Sequence, residues 1–161
     1  MTLGELNALE PSRAQHEFLR CCGSSRWAAA MTAARPFETV DAMETRASAI
    51  WSSLAREDWL EAFAAHPKIG EQRKVSAWSA AEQAGMQSAD SVVRTQLAAF
   101  NADYEARFGY IFIVCATGKS PAEMLSLLEA RLPNDPDREL PIAAEEQRKI
   151  TALRLAKLVD A

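Results

Sequence analysis

The amino-acid sequence predicts an all-α protein, a single-domain helical bundle of about seven or eight helices. Apolar residues recur at spacings of three and four along most of the chain, and helix start and stop signals bound these stretches. Only residues 110–116 could form a strand, and one strand cannot form a sheet. That run is therefore expected to be a buried segment, either extended or helical. The length of 161 residues suits one domain, residues 1–161.

The first half of the chain contains four predicted helices. The first covers residues 11–23 and stops at Gly23, and the second is ended by Arg35-Pro36, because proline disfavours helical backbone in the residue before it. The third is long, and its apolar face consists of Val40, Met43, Ala47, Ile50, Trp51 and Leu54. The fourth runs up to His66 and contains Trp59, Leu60, Phe63 and Ala64.

Four further helices are predicted in the second half. A short one covers Ala80 to Ala84, and a strong one covers residues 88–109. The strong helix has one apolar stripe and Gly109 as its stop; the stripe consists of Val93, Leu97, Phe100, Tyr104 and Phe108. Ser120-Pro121-Ala122-Glu123 is a capping box that opens a helix to about Leu132. The last helix is expected from Asp137 to Val159.

Composition and charge exclude several classes of protein. Apolar residues make up 48% and charged residues 25%, as in soluble globular proteins, and the net charge of −4 argues against nucleic acid as a partner. No apolar stretch is long enough to span a bilayer, and no secretory signal is recognisable at the N-terminus. The three cysteines form no disulfide framework, which indicates reduced thiols and a cytoplasmic location. Cys21 and Cys22 are interpreted as packing residues.

His66 is the first candidate for chemistry. Pro67 forces the preceding helix to end near His66, and Gly70 allows the chain to turn again. A histidine at such a break, in apolar surroundings, is typical of a pocket. The alternative is a histidine that caps the helix C-terminus, where its cationic form interacts well with the helix dipole. The residues alone leave both interpretations open.

The second candidate is the stretch from Ser79 to Gln83. Ser-x-x-Glu is a capping box, and the spacing favours this structural interpretation. Ser79, Glu82 and Gln83 would also present a hydroxyl, a carboxylate and an amide at one helix N-terminus. Such an end offers backbone N–H groups to an anionic ligand.

Arg154 is the third candidate, because it shares one helix face with Ile150 and Leu158. An arginine on an apolar face needs a partner, since burial of an unpaired charge is costly. That partner is either an acidic residue of another helix or an acidic or carbonyl-rich ligand. No metal site is expected, because the two histidines and the three cysteines have no zinc-ligand spacing. Cys115 and His66 are residue types that can form a catalytic Cys-His pair, but a thiol in an apolar run is usually an inert packing group.

The candidate residues lie in stretches that resemble the 2-oxo-4-hydroxy-4-carboxy-5-ureidoimidazoline (OHCU) decarboxylases, enzymes of uric acid breakdown. The resemblance extends from about Leu6 to Leu158. Its specific part is the combination of His-Pro-x-Ile-Gly, Ser-x-x-Glu-Gln, Arg-Phe-Gly-x-x-Phe and Leu-Arg-Leu. The stretches that carry it are CCGSSRWAAAM with RPF, DWLEAFAAHPKIG, WSAAEQAGM, FNADYEARFGYIFIVCATGKS and EEQRKITALRLAKL.

The resemblance implies an all-α homodimer that converts OHCU, a small ureidoimidazoline, to (S)-allantoin without a cofactor. It implies His66 as the catalytic acid and base, with Glu82 supporting it. The substrate-binding residues that it implies are Pro67, Ser79, Gln83, Arg154 and the stretch Phe112 to Ala116, chiefly Phe112, Ile113 and Val114. The lack of a peroxisomal C-terminal signal and of a fused hydroxyisourate hydrolase suggests a bacterial, cytoplasmic, single-function form.

Two other functions stay open from the residues. A non-enzymatic helical interaction domain would explain the helices and the capping box, but it requires neither His66 nor Arg154 in its setting. A hydrolase of a related ureide would need a positioned water and usually a metal or a nucleophile. The lack of a recognisable ligand set weighs modestly against the hydrolase.

Overall fold

The computed structural model describes residues 1–66 and 91–160. Within these residues the chain forms eight helices and no strand, which confirms the all-α prediction for this part of the sequence. The predicted short helix from Ala80 to Ala84 lies outside them. Two compact units are present: one comprises Met1–Ala62 and the residues from Gln147 onward, and the other comprises Phe63–Glu146.

The helices follow the predicted order, with one addition at the N-terminus. They are α1 (Leu3–Ala8), α2 (Pro11–Cys21), α3 (Ser25–Ala34), α4 (Val40–Ser53), α5 (Arg56–Ala64), α6 (Ser91–Phe108), α7 (Pro121–Arg131) and α8 (Pro136–Leu158). Helix α8 begins in the second unit and continues into the first. None of the described helices is both long enough and apolar enough to cross a membrane.

Helix α1 was not predicted, although the sequence carries its signal. Thr2 Oγ1 accepts a hydrogen bond from the Glu5 backbone N–H at 3.1 Å, and the Glu5 carboxylate accepts one from the Thr2 N–H at 2.7 Å. This pair is a complete capping box, a device that satisfies two of the free N–H groups of a helix start. At α7, Ser120 Oγ accepts from the Glu123 N–H at 3.1 Å, which is the N-cap half of the predicted capping box. The Glu123 carboxylate accepts from the Ser120 hydroxyl at 3.2 Å rather than from the Ser120 backbone N–H.

The core of the first unit is built around Trp27. Its indole N–H donates to the Ala47 carbonyl at 3.1 Å, which joins α3 to α4. Phe18 on α2 meets the Trp27 ring edge-on with centroids 6.0 Å apart, and meets Phe37 in the same way at 6.5 Å. Trp27 and Phe18 are both fully buried, so these contacts lie in a dry core where aromatic pairs pack favourably.

In the second unit, α6 and α7 pack together with the run 110–116. This run is neither helix nor strand, and all its residues are buried except Ile111 and Ala116, which are half-buried. The sequence left open whether this run is extended or helical, and the structure shows that it is not a helix. Gly109 ends α6 with a φ of +83°, a conformation in which a residue with a Cβ would be strained. This turn starts the buried run directly after the helix.

Candidate active site

The predicted site residues are distributed over both units and over the undescribed stretch. Four of them lie outside the described residues: Pro67, Ser79, Glu82 and Gln83. His66 and the stretch from Phe112 to Val114 belong to the second unit, and Arg154 belongs to the first. No group of three or more His, Cys, Asp or Glu side chains in residues 1–66 and 91–160 is arranged to hold a metal ion.

His66 lies just beyond the C-terminus of α5, as the His-Pro pair predicts. The helix ends at Ala64, and the His66 backbone N–H donates to the Phe63 carbonyl at 3.2 Å in a final tight turn. The imidazole-bearing residue is half-buried. Phe63, fully buried, packs its ring against Tyr110 with centroids 5.1 Å apart. The end of α5 that carries His66 is thereby held against the start of the 110–116 run.

The run 110–116 contains the three apolar residues that the resemblance assigns to the substrate site, here called the apolar wall. Phe112, Ile113 and Val114 are 3%, 2% and 7% exposed, so they leave little surface to bulk water. The ring of Phe112 meets Tyr104 of α6 edge-on, with centroids 5.3 Å apart. The burial of these residues is established, and their contact with a substrate stays a prediction.

Several backbone groups of this run are hydrogen-bonded to the protein itself. The Ile113 carbonyl accepts from Arg131 Nη1 at 2.7 Å, and the Cys115 N–H donates to Glu146 Oε1 at 3.0 Å. The Cys115 carbonyl accepts from Lys119 Nζ at 2.8 Å. These three backbone groups therefore have partners within the second unit. Their bonds hold the wall in place.

Arg131 and Glu139 form a buried ion pair that the sequence interpretation missed. Arg131 Nη2 and Glu139 Oε2 are 2.5 Å apart, and the two residues are 8% and 0% exposed. A signal for Arg131 was present, because it follows Met124 and Leu128 at helical spacing on the buried face of α7. The argument applied to Arg154 therefore applies equally to Arg131. No local pattern identifies Glu139 as its partner.

Arg154 is buried in the first unit, at 7% exposure, on the same face as the buried Ile150 and Leu158. This confirms the predicted face. Burial raises the pKa of the Cys21 thiol to about 12 and that of the Cys22 thiol to about 11. The positive charge of Arg154 lowers both pKa values, but its effect is smaller than that of burial. Both thiols are therefore protonated at neutral pH, which agrees with packing residues rather than nucleophiles.

A cleft of the first unit does not coincide with the predicted site. It lies between α4 and α8 and is lined by residues that include Trp51, Arg148 and Leu155. None of the predicted site residues lines it, and its enclosed space admits about one water molecule. It is too small for a ureidoimidazoline.

Comparison with known proteins gives a consistent result. A family model for OHCU decarboxylase matches residues 7–156. The chain is 42% identical over 151 residues to the uric acid degradation bifunctional protein TTL of Arabidopsis thaliana, covering 89% of this chain but 47% of that protein. It is 30% identical over 161 residues to the 2-oxo-4-hydroxy-4-carboxy-5-ureidoimidazoline decarboxylase of Haloferax volcanii, covering 98% of this chain and 95% of the relative.

A solved structure gives the same answer for the fold. It is a crystal structure of OHCU decarboxylase in the presence of (S)-allantoin, 42% identical to this chain, with a TM-score of 0.80. The alignment covers 89% of this chain and 96% of that one. The chain spans about half the length of the Arabidopsis protein and nearly the whole of the Haloferax one. The resemblance seen in the sequence is thus confirmed, and the chain belongs to the OHCU decarboxylase family.

Proposed function

We propose that this protein converts OHCU to (S)-allantoin by decarboxylation, in the degradation of uric acid. The observation that carries the proposal is the family membership of nearly the whole chain, with a relative solved in the presence of (S)-allantoin. The buried apolar wall of residues 112–114 supports it, because such a wall favours loss of a carboxylate as carbon dioxide. Other enzyme classes, such as a hydrolase of a related ureide, find no comparable support.

The substrate itself can accept the electron pair that loss of carbon dioxide leaves behind, because it contains a ring C=N. The carbon–carbon bond to the carboxylate breaks, and its electron pair forms a double bond to the neighbouring ring carbon. The electron pair of the adjacent ring C=N moves onto nitrogen, which takes up a proton. The resulting enol becomes a carbonyl when its hydroxyl loses a proton and the neighbouring carbon gains one. Protonation of that carbon from one face gives the (S) product.

His66 is the residue proposed to move protons in these steps. An imidazole titrates near neutral pH, so it can take the proton of the hydroxyl and return one to carbon. Glu82 is proposed to orient His66 or to hold the substrate hydroxyl. Pro67, Ser79, Gln83 and Arg154 are proposed to bind the substrate, with fixed donors directed at the charge that develops on the ring.

The apolar residues complete the proposed site. Phe112, Ile113 and Val114 are proposed to exclude water from the substrate carboxylate, whose charge disappears as carbon dioxide leaves. The enzyme is further proposed to act in the cytoplasm; the three free thiols, Cys21, Cys22 and Cys115, are compatible with a reducing compartment.

The proposal is tested by a circular dichroism time course. Urate is oxidised and its first product hydrolysed enzymatically, and this protein is then added. The intermediate decays unaided to racemic allantoin, so spontaneous chemistry ends without an optical signal. We expect rapid growth of the (S)-allantoin signal, and a turnover roughly 10²–10⁴-fold lower in His66→Ala.

His16→Ala is the matched control, because His16 is the other histidine of the chain and is exposed on α2. It should retain the wild-type rate. A folded wild-type protein that gives no signal above the blank would refute the decarboxylase proposal. Full activity in His66→Ala would keep the assignment of the reaction but refute the catalytic role of His66, which would then only terminate its helix.

A further inference from the structure

Each nitrogen of the Arg131 guanidinium makes a hydrogen bond inside the second unit. Its Nε donates to Glu139 Oε2 at 2.9 Å, and its Nη2 lies 2.5 Å from the same oxygen. Its Nη1 donates in another direction, to the Ile113 carbonyl at 2.7 Å. One planar group therefore connects α8 to the 110–116 run.

The same guanidinium also contacts the neighbouring side chain of that run. Its carbon atom Cζ lies 4.5 Å from the centroid of the Phe112 ring, a cation–π contact, and 5.9 Å from that of Tyr104. Arg131 thus contacts two consecutive residues of the apolar wall, the ring of Phe112 and the backbone of Ile113. A shift of the guanidinium would displace both.

Glu139 determines where that guanidinium lies. Its carboxylate is fully buried, and Oε2 also accepts a hydrogen bond from the Tyr104 hydroxyl. Its other oxygen, Oε1, accepts from Asn134 Nδ2 at 3.0 Å. Burial and the bond to Glu139 raise the pKa of Tyr104, so its hydroxyl stays protonated and donates. The carboxylate is held from three sides.

The Arg131–Glu139 pair is better suited to fix the orientation of neighbouring groups than to raise the free energy of unfolding. A buried ion pair gains little net free energy of folding, because desolvation of the two charges offsets their attraction. An arginine fork, however, fixes direction, since its donors lie in one rigid plane. The pair is also occupied by protein groups, so it is equipped to hold the wall rather than to bind a substrate.

We infer that Arg131, held by Glu139, is a positioning residue that fixes the Phe112–Ile113 part of the substrate wall for decarboxylation. The inference rests on the proposed function, because it assigns a task to that wall. It adds two residues that touch no reacting atom but determine where the wall stands. A displacement of about 1 Å in such a contact can lower turnover by about 10²-fold.

Arg131→Lys is the decisive variant. Lysine keeps the charge opposite Glu139 but cannot donate to Glu139 and to the Ile113 carbonyl in one rigid plane. At a temperature where the variant is fully folded, we expect kcat to fall by about 10- to 100-fold while KM changes less. Hydrogen exchange should rise in a peptide covering residues 110–116 and stay unchanged in α2 and α3.

Arg107→Lys is the matched control. Arg107 also lies over an aromatic ring, with Cζ 5.2 Å from the Phe108 centroid, and it also donates to a carbonyl, that of Asn134 at 2.8 Å. It is exposed, and its carbonyl partners are in residues 133–134 rather than in the wall. A lysine keeps a donor for the Asn134 carbonyl, so the bond from Asn134 to Glu139 is expected to stay. Its kcat and the exchange of residues 110–116 should match the wild type.

The outcomes separate the two proposals. A lower melting temperature with wild-type kcat per folded molecule would show a purely structural role and overturn the inference, as would unchanged exchange in residues 110–116. If the wild type shows no decarboxylation, the proposed function fails, and the exchange experiment alone decides whether Arg131 holds the segment. Should Arg131→Lys not fold, Tyr104→Phe removes one bond to Glu139 and must lower kcat in the same direction.

Discussion

At the scale of single residues, His66 shows how far local chemistry determines a position. Pro67 cannot donate a backbone N–H and disfavours helical backbone before it, so α5 had to end near this point. The helix ends at Ala64, and the His66 N–H bonds to the Phe63 carbonyl. The backbone position of the candidate acid–base group was therefore predictable. The supporting role of Glu82 stays a prediction from the resemblance, because Glu82 lies outside the described residues.

Cys21 and Cys22 lead to a prediction about pH. Burial raises the pKa of these thiols from 9.0 to about 12 and about 11. Above pH 9 the unfolded chain releases protons that the folded chain retains, so the free energy of unfolding should fall as pH rises from 9 to 11. Each thiol contributes a slope of up to about 1.4 kcal/mol per pH unit.

Urea unfolding between pH 8 and pH 10.5 measures this slope in the wild type and in the Cys21→Ala, Cys22→Ala double variant. The wild type should lose stability more steeply, because the variant lacks both buried thiols. Lysine and tyrosine titration is common to the two proteins and cancels in the comparison. Equal slopes would mean that the thiols ionise as readily in the folded protein as in the unfolded chain.

At the scale of elements, α1 depends on a contact that its own sequence does not contain. Arg35 Nη1 donates to the carbonyls of Leu6, Asn7 and Leu9 at 3.0, 3.3 and 2.7 Å. Asn7 in turn exchanges two hydrogen bonds with the Phe37 backbone, at 2.9 and 3.0 Å. A helix of six residues is too short to be stable by itself, so these bonds hold it to the first unit.

Arg35→Ala should therefore lower the free energy of unfolding by about 2 kcal/mol, the scale of losing hydrogen bonds from a charged donor. The loss is measured by urea unfolding. Arg46→Ala is the control: Arg46 is exposed on α4 of the same unit, and its removal should change stability by less than about 0.5 kcal/mol. If the two variants lose equal stability, the contacts of Arg35 do not hold α1.

The run 110–116 is the element that local pattern described least well. Its apolar residues are compatible with a buried strand and with a buried helix, since the periodicity of so short a run does not distinguish the two. Its conformation is held by Arg131 and Glu146, which bind its backbone at Ile113 and Cys115. The nearer partner is eighteen residues away. No window of a few residues contains that information.

At the scale of the whole molecule, the assembly state is a prediction that rests on the family resemblance. A homodimer is expected, so sedimentation velocity should give a mass of about twice the 17.7 kDa of one chain. A dilution series is part of the measurement, because dimers dissociate by mass action at low concentration. A mass of one chain throughout the micromolar range would contradict the prediction.

The sequence by itself determined the helical class, most helix ends and the burial of Arg154. These depend on proline, glycine, capping residues and helical spacing, all of which act within a few residues. The family motifs added the candidate reaction, because their order and spacing are specific. Only the tertiary structure decided the conformation of the 110–116 run and the Arg131–Glu139 pair behind it. These contacts join groups 8, 18 and 31 residues apart, which lies beyond the three- and four-residue spacing within a helix, and packing selects them only when the fold has formed.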